Sequence, residues 1–186
     1  ATALPDNNSY TITFWMRPDR LGGISGTENV QVFRQGINSI SNTANVDLDL
    51  LPDGSLVFGQ KDPAMVEKKI QTVARTILSG NWYHVAMVRD AANTALKLYV
   101  NGLCLATNPS AFGTTNWTIN NSGGPGATQQ ALNNDGNTNR IKGAFDDLRV
   151  YRTVRTESQI LEDMSAPLSR AIATNTTVFY APFEGT

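Results

Sequence analysis

The chain has 186 residues, 40% of them hydrophobic, and a formal net charge of −1. That length and apolar content suit one domain with a real core, and the charge gives no electrostatic case for nucleic acid or an acidic membrane. The single cysteine, Cys104, excludes an internal disulfide, and no run approaches membrane-spanning length.

No charged-then-apolar signal opens the sequence, so it reads as a mature product or an excised domain. Abundant Asn, Thr, Ser and Gly with scarce Lys suit an exposed β protein outside the cell. The polar start, with Pro5 and Asp6-Asn7-Asn8, reads as loop. Tyr10 to Met16 alternates Ile12 and Phe14 with Thr11, Thr13 and Trp15, which predicts a strand ended by Arg17-Pro18. Val30 to Arg34 is a second strand. Val46 to Leu50 alternates cleanly, and Pro52-Asp53-Gly54 supplies the chemistry of a tight turn into Ser55–Gly59. Ile70 to Ile77 reads as a further strand.

The strongest local signal spans Trp82 to Thr107. Val85 and Met87 alternate with His84, Ala86 and Val88. Leu96, Leu98 and Val100 then run into Asn101-Gly102, and Leu103 and Leu105 run out. Asn-Gly between apolar alternations predicts a hairpin, because a type I′ turn needs φ > 0 at both central residues. Trp117 to Asn120 is a short strand, and residues 121–139 form a long polar loop without periodicity. Ala144 to Tyr151 is the next strand. Thr156 and Gln159 make a capping box for a short helix near residues 156–164, with Ile160, Leu161 and Met164 as its apolar face. A strand from about 176 to 183 closes the chain. Together these predict one all-β domain over 1–186, a two-sheet antiparallel jelly-roll sandwich with one short helix.

Four pieces stand in a telling order: SYTITFWMRP from Ser9, WYHVA from Trp82, LYVNG from Leu98, and GAFDDLRVY from Gly143 leading to Ser158-Gln159-Ile160. In that order they resemble a LamG-like domain of the concanavalin A-like lectin/glucanase superfamily, over residues 9 to about 162. The resemblance implies two antiparallel sheets. It implies function only coarsely, because the fold hosts sugar binding, protein adhesion, hydrolysis and plain spacing. The family's opening strand precedes YTITFWM by tens of residues. Here a similar segment, Phe179-Tyr180-Ala181-Pro182-Phe183-Glu184-Gly185, stands at the end instead. Val178, Phe179, Tyr180 and Phe183 are therefore expected to complete a sandwich. About a dozen linking residues reach roughly 35–40 Å, far enough for the chain's own slot or, by strand exchange, for a second copy's.

No catalytic residue is assigned. His84 is the only histidine and reads as a hydrogen-bonded strand residue, Cys104 as an inert thiol, and Asp47 and Asp49 as a solvated strand face. The glucanase Glu-x-Asp-x-Glu cluster is missing. Asp135, Asn137 and Asn139 alternate as oxygen ligands do in hard-cation loops, and Asp146 lies just beyond them with the core-side parity of Leu148 and Val150. These four are the expected ligands of a structural Ca²⁺, which the resemblance also favours. For a sugar platform the available aromatics are Trp117 and Tyr83, with Asn116 beside the former, while Trp15 and Trp82 read as core. The expectation is a non-catalytic extracellular or cell-surface module that binds a glycan or a protein. The alternative is a self-assembling subunit of a surface layer or filament, and a glycoside hydrolase ranks third. Neither nucleic acid nor membrane insertion is expected.

Overall fold

The computed structural model describes residues 9–23, 25–35, 46–61, 67–109, 130–132, 141–165 and 177–181. Among the described residues eleven strands run β1 (Tyr10–Pro18), β2 (Val30–Gln35), β3 (Val46–Leu50), β4 (Leu56–Lys61), β5 (Glu67–Gln71), β6 (Tyr83–Asp90), β7 (Ala95–Val100), β8 (Leu103–Asn108), β9 (Gln130–Leu132), β10 (Gly143–Tyr151) and β11 (Thr177–Ala181), with one helix, α1 (Glu157–Ser165), between the last two. They form a six-stranded sheet in the order β11-β10-β1-β6-β7-β8 and a five-stranded sheet in the order β5-β4-β3-β2-β9. The paired strands are antiparallel. This is the sandwich that the alternation of the sequence predicts.

The core lies between the sheets. Ile12, Phe14, Met16, Val85, Met87, Leu96 and Leu98 come from one sheet and Val32, Phe33, Leu48, Leu50 and Phe58 from the other, all essentially without solvent exposure. Alternation along each strand then sends Thr11, Thr13, Trp15 and Arg17 of β1, and His84, Ala86 and Val88 of β6, to the outer face of the six-stranded sheet.

Helix α1 covers part of that outer face. Its Ile160 packs on Ala86, Val88 and Tyr99 as a second small cluster. The capping box forms as the sequence predicts: the Thr156 N–H donates to Gln159 Oε1 at 3.0 Å and the Gln159 N–H to Thr156 Oγ1 at 3.3 Å. Asp163, 3% exposed, fastens the helix to the sheet. It accepts from Arg149 Nη1 at 2.7 Å, Tyr151 Oη at 2.8 Å, and Arg155 Nη2 and Nε at 2.8 and 3.1 Å. The Asn101-Gly102 turn has φ of 50° and 80°, as a type I′ turn requires. Gly102 has a second duty, since Leu161 of α1 lies where its Cβ would be.

Three sequence expectations are corrected. Ile70 to Ile77 is not one strand. After Gln71 the Thr72 hydroxyl accepts the Leu56 N–H, Arg75 takes φ of 64°, and the Arg75 and Ile77 amides donate to Asp53 and Gly54. The segment thus folds back over the β3–β4 turn. Within residues 121–139, Gln130–Leu132 forms β9, a strand specified by its partner β2 rather than by a pattern of its own. The third correction concerns β10. Thr13 pairs with Arg149 and Trp15 with Asp146, so Phe14 alone faces both Asp147 and Leu148. The extra residue is a β-bulge, and Asp147 takes it with φ of 52°. Phe145 and Leu148 can then both reach the core side although they are three apart. Asp146 consequently does not share Leu148's face. The expected strand Trp117–Asn120 lies outside the described residues.

The last strand, β11, pairs antiparallel with β10 of the same chain, Val150 facing Phe179 and Arg149 facing Tyr180.

Candidate functional site

The half of the outer face beyond α1 carries a cleft of about 340 Å³ lined by Trp15, Trp82, Asp146 and Asp147. The ladder explains why these four meet. Trp15 at the centre of β1 is flanked by its cross-strand partners, His84 on β6 and Asp146 on β10. One step along the same face, Arg17 of β1 lies beside Trp82, its guanidinium 5.6 Å from the indole centroid. The bulge turns Asp146 and Asp147 onto this side. The Asp147 N–H donates to Asp146 Oδ1 at 2.8 Å, and Arg149 Nη2 stands 3.9 Å from Asp147.

His84 forms the support under Trp15. The two rings meet edge to face with centroids 5.4 Å apart. His84 is 2% exposed and its Nδ1 has no hydrogen-bond partner. Burial, opposed by Asp163 and helped by Arg149, pushes its pKa down to about 4. The imidazole is therefore neutral at physiological pH and serves as an apolar wall. Its backbone is clasped by the hairpin turn: the His84 N–H donates to Asn101 Oδ1 at 2.9 Å and the Asn101 N–H to the His84 carbonyl at 2.8 Å.

Trp15 and Trp82 are thus not core residues. Trp15 is half-buried on the outer face and Trp82 is 42% exposed. Asp47 is not a solvated carboxylate either, since it is mostly buried and bonds Arg34 Nε at 2.7 Å. Tyr83, a candidate aromatic for sugar binding, packs against the core and its hydroxyl accepts the Leu78 N–H at 3.0 Å. That puts it on the opposite face of β6 from the cleft. Asn116 and Trp117, and the cation-loop residues Asp135, Asn137 and Asn139, lie outside the described residues. So does Phe183, while Val178, Phe179 and Tyr180 are described through the pairing of β11. Of the four expected calcium ligands, Asp146 is the one described, and no group of three or more His, Cys, Asp or Glu side chains able to hold a metal occurs among the described residues. The described residues therefore do not by themselves make a calcium site. Cys104 is a free thiol on exposed β8.

The sequence reasoning missed Trp15, Arg17, Trp82 and Asp147. For Trp15 and Arg17 the signal was present, because they alternate out of phase with Phe14 and Met16.

A family model described as the concanavalin A-like lectin/glucanases superfamily, Laminin_G_3, matches residues 1–161. The chain belongs to that superfamily. Solved structures with this concanavalin A-like fold include a heptameric SAP-like pentraxin from Limulus polyphemus, 20% identical, with a TM-score of 0.60 over 87% of this chain and 72% of that one. They also include the CBM40 of the Ruminococcus gnavus IT-sialidase bound to α2,3-sialyllactose, 13% identical, with a TM-score of 0.61 over 83% and 81%. A third is domain 4 of AbnA, a GH43 extracellular arabinanase from Geobacillus stearothermophilus, in complex with arabinotriose, 24% identical, with a TM-score of 0.52 over 86% and 69%. At these identities the likeness is one of fold. No curated protein sequence matches this superfamily member. Among the described residues no helix is long and apolar enough to cross a membrane.

Proposed function

We propose that this chain is a non-catalytic, extracellular glycan-binding module, and that the outer-face cleft is where the sugar binds. One observation carries this reading: two indoles and two carboxylates line a single cavity of about 340 Å³ on the part of the sheet that α1 leaves open. Sugar rings present apolar C–H faces and polar edges, so an indole wall with a few placed acceptors is the surface that fits them. Similar folds bound to sialyllactose and to arabinotriose support the same class of ligand.

The geometry favours binding over hydrolysis. A glycosidase sets two carboxylates on either side of the scissile bond. Asp146 and Asp147 are instead neighbours in one bulge, and Asp146 Oδ1 holds the bulge's own N–H. The lone histidine is buried and neutral, which suits a wall better than a base. The pairing of β11 with β10 supports a strand that completes its own sheet over one donated to a neighbour.

A glycan array followed by titration of tryptophan fluorescence tests the reading. At least one glycan should bind and change the emission. Trp82→Ala, at an exposed position, should fold normally and weaken that binding by about tenfold or more. An array without a hit, or a hit whose affinity ignores both Trp82→Ala and Trp15→Ala, refutes it.

A further inference from the structure

Among the described residues the cleft is lined by Trp15, Trp82, Asp146 and Asp147, and the β7–β8 turn is not part of that lining. We infer that Asn101, in that turn, is a positioning residue of the binding site: through His84 it sets the Trp15 indole in place before a glycan arrives. This rests on the glycan-binding reading above.

The turn itself does not need the Asn101 side chain. Its φ of 50° is a conformation that glycine adopts without steric penalty, and Gly102 follows at 80°. The side-chain amide has a separate task. Asn101 Oδ1 accepts the His84 N–H at 2.9 Å, while the Asn101 N–H donates to the His84 carbonyl at 2.8 Å. The regular β6–β7 ladder stops one residue earlier, at the pair Val85 and Val100. The side chain therefore supplies a further rung and carries the clamp to the residue that faces Trp15 across β1 and β6.

The His84 ring gains no such hold at Nδ1, which has no hydrogen-bond partner in a residue only 2% exposed. The ring is fixed by packing and by its backbone, and it moves when that backbone moves. It meets the Trp15 ring at 5.4 Å and 61°. Trp15 is half-buried, so it leans on His84 on the β6 side and lines the cleft with the rest. A brace made in the free protein spares the ligand the ordering of that side chain, and such preorganisation raises affinity without a new contact. Trp82 is the internal control. It precedes β6 and lies against Arg17, at 5.6 Å, outside the path from Asn101 to Trp15.

NMR of the whole chain tests this first without ligand. Asn101→Gly keeps the turn and removes the acceptor, whereas Asn101→Asp keeps an acceptor and tolerates positive φ. In Asn101→Gly the Trp15 indole N–H resonance, assigned with Trp15→Phe, should shift and broaden while that of Trp82 stays. His84 is the only histidine, so its titration is read directly. The charged groups that act on its ring are Asp163 of α1 and Arg149 of β10, while Trp15 on β1 and Asn101 in the turn are uncharged. Asn101→Gly alters none of these charges. A midpoint that rises from about 4 toward 6.5 therefore reports water admitted beneath Trp15. Arabinotriose and cellotetraose, both neutral, then serve as fluorescence probes. Asn101→Gly should bind them about fivefold more weakly, and Asn101→Asp should restore both the indole resonance and the affinity. A Trp15 resonance and a histidine midpoint unmoved in Asn101→Gly would overturn the positioning and leave glycan binding standing. So would a disturbance that Asn101→Asp fails to reverse, or a displaced Trp15 with unchanged affinity for a bound probe. An array without a hit, with neither probe bound, would remove the glycan reading and this inference with it.

Discussion

Acidification from pH 7 to pH 5 should cost this protein about 2 kcal/mol through one residue, His84. The imidazole is 2% exposed against Trp15, and burial holds its pKa at about 4, against an ordinary 6.5. The unfolded chain therefore takes up a proton near pH 6.5 that the native protein refuses until about pH 4. Stability is full above the unfolded value and falls as the pH drops through that window, by about 1.4 kcal/mol per pH unit. From pH 7 to pH 5 the loss is about 2 kcal/mol, and it levels off near 3 kcal/mol below the folded value. For a chain of this size that is a drop of roughly 4–8 °C in melting temperature by pH 5. Urea denaturation at the two pH values measures it directly. Glu28 and Asp53 do not confuse the result, because both are shifted below ordinary values of 4.5 and 3.8 and act at lower pH. His84→Gln, which cannot titrate, should be less stable at pH 7 but flat between pH 7 and 5. Equal parent stability at the two pH values, or a response that survives in His84→Gln, would refute the reasoning.

Asp163→Ala should destabilise by about 3–5 kcal/mol in the same denaturation assay, because it strips Arg149 and Arg155 of a buried counter-ion and leaves the Tyr151 hydroxyl without its acceptor. A loss below about 1 kcal/mol would mean that α1 is held by its apolar contacts alone. Truncation after Ser165 removes β11 and makes β10, with its buried Leu148 and Val150, a sheet edge. A loss of a few kcal/mol or outright insolubility is expected, with rescue by a peptide of residues 174–186. An unchanged melting curve would show that the strand contributes nothing, and full-length polymers on size exclusion that resist dilution would show it exchanged between copies.

Much of the sandwich was legible because its strands obey a simple period of two. Ile12-Phe14-Met16 and Leu96-Leu98-Val100 declare their buried faces, and Asn101-Gly102 and Thr156–Gln159 declare a turn and a cap through backbone chemistry that few other residues satisfy. The site was legible only in part. The family's strand motif puts Trp15 in the core, although its alternation with Phe14 and Met16 points outward. Asp146 was misassigned for a different reason: parity counted back from Leu148 is valid only if no residue is inserted, and nothing in Phe-Asp-Asp-Leu announces that Asp147 will take a left-handed turn within a strand. Likewise β9 exists through the ladder it joins, a nonlocal cause that a local pattern does not carry.

The bulge also bears on how such a cleft changes over generations. Point substitutions alter one wall at a time. Loss of the single codon for Asp147 would leave Phe145 and Leu148 two apart, so β10 would return to simple alternation with both still on the core side and Asp146 still outward. The core side of β10 would survive such a loss, and the cleft would lose one of its two carboxylates.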